Sequence, residues 1–345
     1  MVVKYFKYDK PFTLENGEVI TDLTIAYHTF GRLKPGKNNV IWVCHALTAN
    51  SEVADWWPNT VEAKKFLDPG KYFTISANII GSHYGTTGPL DINPKTGEPY
   101  YESFPFITIR DMVRAHILLA EELGIKSVRA MIGSSIGGFQ AMEWAIMQPD
   151  FMQRLVLIAT SAKSQPWTIA LNESQRMAIE VDPSYGQNDP EAGKKGMRVS
   201  RSIGLLSYRG SMAYNETQQE NDNLYKLTGF RAATYQQYQG DKLCRRFNAY
   251  SYYRLSQAFD SHNVGRFRGG VETALGMIKA RTVVIGISSD IILPVCEQIF
   301  LYRHIPDSEI YIITSDFGHD GFLVEHEKLN DILKPFVDKP LRQGE

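Results

Sequence analysis

The chain has 345 residues, 43% hydrophobic and 22% charged, the balance of a globular protein with a sizeable core and room for about two domains, or one with an insertion. Its 37 Lys+Arg against 38 Asp+Glu leave a formal charge of -1, so no bulk field draws it to nucleic acid or to an anionic membrane surface. The 17 Phe, 18 Tyr and 5 Trp are more aromatic surface than a disordered chain exposes to water.

Cys44, Cys244 and Cys296 are widely separated and form no CxxC pair, which points to a reducing compartment. The first ten residues, Met1 to Lys10, lack the apolar region of a secretory signal. No apolar run approaches the ~18 residues needed to cross a bilayer. A cytoplasmic protein without membrane or nucleic-acid partners is expected.

In chain order, Asn39 to His45 is a short β-branched and aromatic run after the turn-rich Pro35-Gly36-Lys37-Asn38. It fits a strand buried on both faces. Tyr72 to Ile80 is a second strand candidate, ending at Gly81. The polar, Gly- and Pro-rich stretch from Gly81 to Pro105 is long enough to build or cover a site. Asp111 to Leu123 has helical apolar spacing and stops at Gly124. Ser127 to Ile132 then reads as a strand, Gly137 to Met147 as a helix, and Arg154 to Thr160 as a strand. That alternation predicts a mostly parallel sheet with helices on both faces.

From Ser164 onwards the short Val/Ile runs stop, and polar helical segments rich in Gln, Arg and Tyr take their place. The α/β rhythm resumes at Arg281 to Ile287 and Glu309 to Thr314, with a last helix over Leu329 to Val337. The expected organisation is one α/β core, residues 1–163 and 276–345, interrupted by a helical lid at 164–275.

The chemistry is concentrated in Gly133-Ser134-Ser135-Ile136-Gly137, which lies between a predicted strand and a predicted helix, where a G-x-S-x-G nucleophile elbow belongs. A turn that tight needs nearly side-chain-free neighbours two positions either side of the serine. Ser135 has Gly133 and Gly137 there, whereas Ser134 has Ile132 and Ile136, so Ser135 is the candidate nucleophile. GxGxxG is absent and no Gly-Lys-Ser/Thr follows, so neither dinucleotide nor P-loop binding is supported.

A serine needs a general base and a group that orients it. The partners are expected in chain order Ser, Asp/Glu, His, each just past a strand. Asp290, shortly after Ile287, and His319, shortly after Thr314, meet that condition. Two backbone N–H groups would complete an oxyanion hole: that of Ile136, after the serine, and that of Leu47, after the first core strand. His45 and His83 also follow strands, yet no H-x-x-x-H or H-E-x-x-H spacing supports a metal site, and none is expected. The remaining five histidines read as core or surface residues.

Several segments resemble one family along residues 10 to 330. His45-Ala46-Leu47-Thr48, Thr108 to Val113, Gly137 to Ala145, Tyr238 to Lys242 and Gly318-His319-Asp320 are similar to homoserine O-acetyltransferases, enzymes of methionine biosynthesis with the α/β-hydrolase fold. The resemblance implies a ping-pong reaction with acetyl-CoA as co-substrate and no bound cofactor. Ser135 would be acetylated and would pass the acetyl group to the hydroxyl of L-homoserine, with His319 as base and Asp290 orienting it. It further implies that Arg201 and Tyr208 receive the substrate carboxylate, that Asp320 receives its ammonium, and that the chain forms a homodimer through the lid.

The loop Gly81 to Pro89 departs from the family by carrying His83 where a small thiol is usual, and it is expected at the site mouth. Three other readings stay open: succinyl-CoA or L-serine as the substrate, an esterase or thioesterase with water as acceptor, and a non-catalytic binding protein on the same fold.

Overall fold

Residues 2–221 and 225–340 are described in the computed structural model. Their centre is an eight-stranded sheet made of β1 Lys4–Tyr8, β2 Leu23–Phe30, β3 Val40–Cys44, β4 Phe73–Ala77, β5 Ala130–Ser134, β6 Arg154–Ile158, β7 Arg281–Ile287 and β8 Ser308–Ile313. The spatial order is β1-β2-β4-β3-β5-β6-β7-β8. β2 runs antiparallel to both of its neighbours, and every other pair is parallel.

β3, β5 and β6 are buried along their whole length, as a parallel sheet covered on both faces requires. The pleat sends alternate residues to opposite sides. Trp42, Met131, Leu155 and Val284 enter one apolar core, and Ile41, Val43, Ile132 and Val156 the other. The first core is covered by α1 Ile109–Glu122 and α2 Ile136–Met147, through Met112, Val113, Phe139 and Met142. α1 begins earlier than its apolar spacing suggests, because Thr108 and Asp111 close a capping box at its start.

Beyond β6 come α3 Pro166–Glu180, α4 Lys194–Tyr208, α5 Ser211–Gln218, α6 Arg231–Cys244 and α7 Ala249–Asp260. Their apolar residues Ile179, Met197, Leu243 and Phe259 join the same core as Phe139 and Met142, and the Phe139 and Phe259 rings meet edge to face at 4.7 Å. α3, α4, α6 and α7 therefore share the core of the α/β layer, with Phe259 of α7 seated against Phe139 of α2. After β7, α8 Val295–His304 adds Leu301 to that core, and α9 His326–Asp338 covers the opposite one with Leu329, Leu333 and Val337.

β1 and β2 lie outside the strands the sequence pattern predicts. β1 is an edge strand with two lysines and little burial, and polar Thr24, His28 and Thr29 interrupt the apolar run of β2. Both are recruited by antiparallel pairing, which tolerates such mixed faces. Among the described residues, no helix is long and apolar enough to cross a membrane.

Candidate active site

Ser135 stands between β5 and α2 with φ 54° and ψ -127°, a backbone state that L residues rarely adopt and that persists only when its surroundings over-determine it. The surroundings do so here. A Cβ on Gly133 would collide with the Gly137 carbonyl, and one on Gly137 with the Cys44 carbonyl. Ser135 N–H donates to the Ile158 carbonyl at 3.0 Å, and Thr160 Oγ1 donates to the Ser135 carbonyl at 2.9 Å. Ser134 ends β5, and its buried Oγ has no hydrogen-bond partner among the described residues. Ser135, by contrast, lines a cavity of about 600 Å³ at the C-terminal ends of the parallel strands.

His319 lines the same cavity. Its Nδ1–H donates to Asp290 Oδ2 at 2.6 Å, and the Asp290 side chain is wholly buried. The second carboxylate oxygen accepts the N–H groups of Ile292 at 2.9 Å and Leu293 at 3.0 Å. Burial disfavours the imidazolium, but the charge of Asp290 and its hydrogen bond outweigh that, so the His319 pKa lies above its ordinary value. With Nδ1 engaged, Nε2 is the nitrogen left to exchange a proton.

Leu47 also lines the cavity. Ile136 is the first residue of α2, so its N–H is one of those a helix start leaves without an intrahelical partner. Completely buried His45 explains how the Leu47 N–H is aimed. Its Nδ1–H donates to the Ala46 carbonyl at 2.8 Å, while Nε2 accepts the Ile79 N–H at 3.2 Å. The Ala46 carbonyl and the Leu47 N–H belong to one planar trans peptide, so holding the first turns the second to the opposite side. Burial lowers the His45 pKa to about 4, which keeps the ring neutral.

Arg201, Tyr208 and Asp320 reach this cavity as well. The Arg201 guanidinium lies 5.4 Å from the centre of the Tyr208 ring, and that ring is 6.2 Å from the His319 ring. Burial pushes the Asp320 carboxyl up, against the opposing charges of Arg209 and Arg201. Arg209 Nε lies 2.9 Å from Asp320 Oδ2, a pairing that sequence reasoning missed.

The loop from Gly81 reaches the cavity, as its expected place at the site mouth requires, and it does so through Tyr84; His83 is exposed, with Nδ1 3.0 Å from Asn248 Nδ2. Tyr84 and Arg246 are hydrogen-bonded, and Arg246 also donates to the Thr48 carbonyl at 2.5 Å. No basic cluster is visible in the sequence, yet Arg201, Lys242 and Arg246 share the cavity wall. Their only linear signal is the four-residue spacing of Lys242 and Arg246. Gln175, buried in that wall, accepts from Tyr252 OH at 2.5 Å. Among the described residues, no group of three or more His, Cys, Asp or Glu could hold a metal ion.

A serine strained at a strand-to-helix turn, sharing a cavity with a histidine fixed by a buried aspartate, defines an enzyme of the α/β-hydrolase fold. The model of that fold family matches residues 39–326. The homoserine O-acetyltransferase of Cyclobacterium marinum is 43% identical over 97% of this chain and 95% of its own length. The crystal structure of the homoserine O-acetyltransferase from Bacillus anthracis superposes with a TM-score of 0.90, at 25% identity over 99% of both chains. Esterase E22 shares the fold, with a TM-score of 0.89 at 24% identity over 98% of this chain and all of its own. The chain belongs to the homoserine O-acetyltransferase family, and its reaction class is acyl transfer.

Proposed function

We propose that this enzyme moves an acetyl group from acetyl-CoA to the hydroxyl of L-homoserine by double displacement, a step of methionine biosynthesis. The observation that carries the reading is the shared cavity: Ser135 and His319 open onto the same space as Arg201, Tyr208 and Asp320. That space offers a nucleophile beside groups suited to a carboxylate and an ammonium.

In the first half-reaction Ser135 Oγ attacks the thioester carbonyl carbon while His319 Nε2 takes its proton. The N–H groups of Leu47 and Ile136 receive the negative charge that develops on the carbonyl oxygen. As the intermediate collapses, the C–S bond breaks and His319 returns the proton to the departing CoA thiolate. In the second half-reaction His319 deprotonates the homoserine hydroxyl, which attacks the acetyl-serine. Ser135 leaves with the proton, and O-acetyl-L-homoserine forms. Asp290 holds the imidazole in the required tautomer and stabilises its charged form.

Arg201 suits a carboxylate because its planar fork can donate two parallel hydrogen bonds. The positive charges of Lys242 and Arg246 suit a donor that carries phosphates. A homodimer is supported by Val199 and Leu206 on α4 and Met212 on α5, large apolar side chains left 49%, 61% and 69% exposed.

The test follows free CoA thiol after mixing the enzyme with acetyl-CoA, with and without L-homoserine, with L-serine and succinyl-CoA in parallel. Strong stimulation by homoserine, with O-acetylhomoserine identified by mass, supports the reading. Thiol release at one rate with or without an acceptor would make water the acceptor, as in an esterase of this fold. Faster turnover with serine or succinyl-CoA would reassign the substrates.

A further inference from the structure

The carboxylate assigned to the acceptor's ammonium already has a partner. Arg209, the first residue beyond α4, sets Nε 2.9 Å from Asp320 Oδ2. Asp320 lines the cavity and Arg209 does not, so the guanidinium reaches the carboxylate from behind. An ionised carboxylate has two oxygens and about four acceptor sites. Pairing at Oδ2 leaves Oδ1 for a ligand.

The backbone around this pair is closely packed. The chain at Gly210 presses on the turn at Gly318, whose φ is +65°. A Cβ on Gly318 would lie 2.5 Å from the Gly210 nitrogen, and one on Gly210 would lie 2.9 Å from the Gly318 nitrogen. The end of the helix that bears Arg201 and Tyr208 is thus seated directly against the turn that bears His319 and Asp320, with no side chain between them.

Charge placement gives the pairing a purpose. Asp320 also feels the positive charge of Arg201. Without a cation behind it, the carboxylate would lose the contact that holds it in place and turn away from the position that meets an ammonium, leaving the Arg201 site as it is.

We propose that Arg209 is a positioning residue for acceptor recognition: it anchors Asp320 so that the free carboxylate oxygen meets the ammonium of an amino-acid acceptor. This rests on the acceptor reading above. Arg209 touches no substrate, and its effect is a preference for hydroxy acids that carry an α-ammonium.

The test compares L-homoserine with 4-hydroxybutanoate, which keeps the hydroxyl and carboxylate and lacks the ammonium. kcat and KM for both are measured with acetyl-CoA on wild type, R209M and R209K. Wild type should favour homoserine. R209M should lose about tenfold or more of that preference through a raised homoserine KM, with R209K keeping part of it. The acetyl-CoA burst and the use of 4-hydroxybutanoate should change less than about twofold, because neither involves the ammonium site.

An R209M enzyme that retains the preference, or that loses both acceptors in parallel, overturns the inference. The burst certifies folding, and a variant without it is replaced by R209Q, read by the same criterion. Wild type that acetylates no homoserine overturns the acceptor reading itself, and the role of Arg209 with it.

Discussion

The two walls of the cavity are built by different means. On the sheet side, the positions that matter are set by backbone: Ser135 at φ 54°, two glycines that admit no Cβ, the Leu47 peptide aimed by His45, and Asp290 held by two N–H groups. On the helical side, they are tips of long side chains, Arg201, Lys242 and Arg246, carried on α4, on α6 and just beyond α6. Acyl chemistry needs fixed donors and a fixed nucleophile, whereas substrate choice can be altered by exchanging a few side chains. This explains how an esterase and an acetyltransferase can both share this fold; function resides in the site, not the scaffold.

If the walls divide labour in this way, changes on the sheet side should destroy both half-reactions, and changes on the helical side should damage one. The largest effect is expected from Ser135→Ala, which should abolish acetyl-enzyme formation, read as the missing acetyl mass shift after incubation with acetyl-CoA. A persistent shift would move the nucleophile to another residue.

Asp290→Asn should lower kcat by about a thousandfold to ten-thousandfold, and it also has a pH signature. His319 must be neutral to accept a proton, so activity should rise with pH through its pKa, which Asp290 holds above 6.5 despite burial. Removing that charge leaves burial opposed only by the weaker pull of Asp320, so the acid limb of the pH–rate profile should move to lower pH. A limb that stays in place would show that another group titrates.

His45→Ala should cost about a hundredfold in kcat, the usual loss for one oxyanion donor, with little change in the homoserine KM. Arg201→Ala belongs to the other wall. It should raise the homoserine KM about tenfold to a hundredfold, the loss of a charged hydrogen bond, and leave the acetyl-CoA burst intact. Equal damage to both half-reactions by Arg201→Ala would erase the proposed division.

The smallest effect is on stability. Burial lowers the pKa of His45 to about 4, of His116 to about 3 and of His262 to about 4. The unfolded chain takes up protons first as pH falls below about 6.5. The thermal midpoint should therefore hold above that value and decline as pH falls towards about 4, as scanning calorimetry across that range would show. A flat profile would mean that these rings gain water or a partner when protonated.

Much of the sheet-side wall was legible without coordinates. Glycines two positions either side of Ser135 distinguish it from Ser134 by sterics alone, and Asp290 and His319 follow recognisable strands. β3 to β7 announce themselves as short, largely apolar runs, because strands covered on both faces must be mostly apolar, and the edge strand β8, with Tyr311 and Ile312 exposed, does so through its Ile and Tyr residues. β1 and β2 do not, since their faces are mixed and their place depends on a partner.

The helical wall was legible only where a family resemblance pointed to Arg201 and Tyr208, and the same resemblance supplied Asp320 beside His319. Nothing in the linear order announces that Arg209 stands behind Asp320, that Tyr84 rather than His83 faces the cavity, or that Arg246 reaches Thr48, 198 positions away. The physical reason is range. Pleat, capping and the elbow are constraints between residues a few positions apart, so they leave a pattern in the chain. An ion pair between a helix end and a distant turn is a constraint between surfaces, and it comes into being when folding brings those surfaces together.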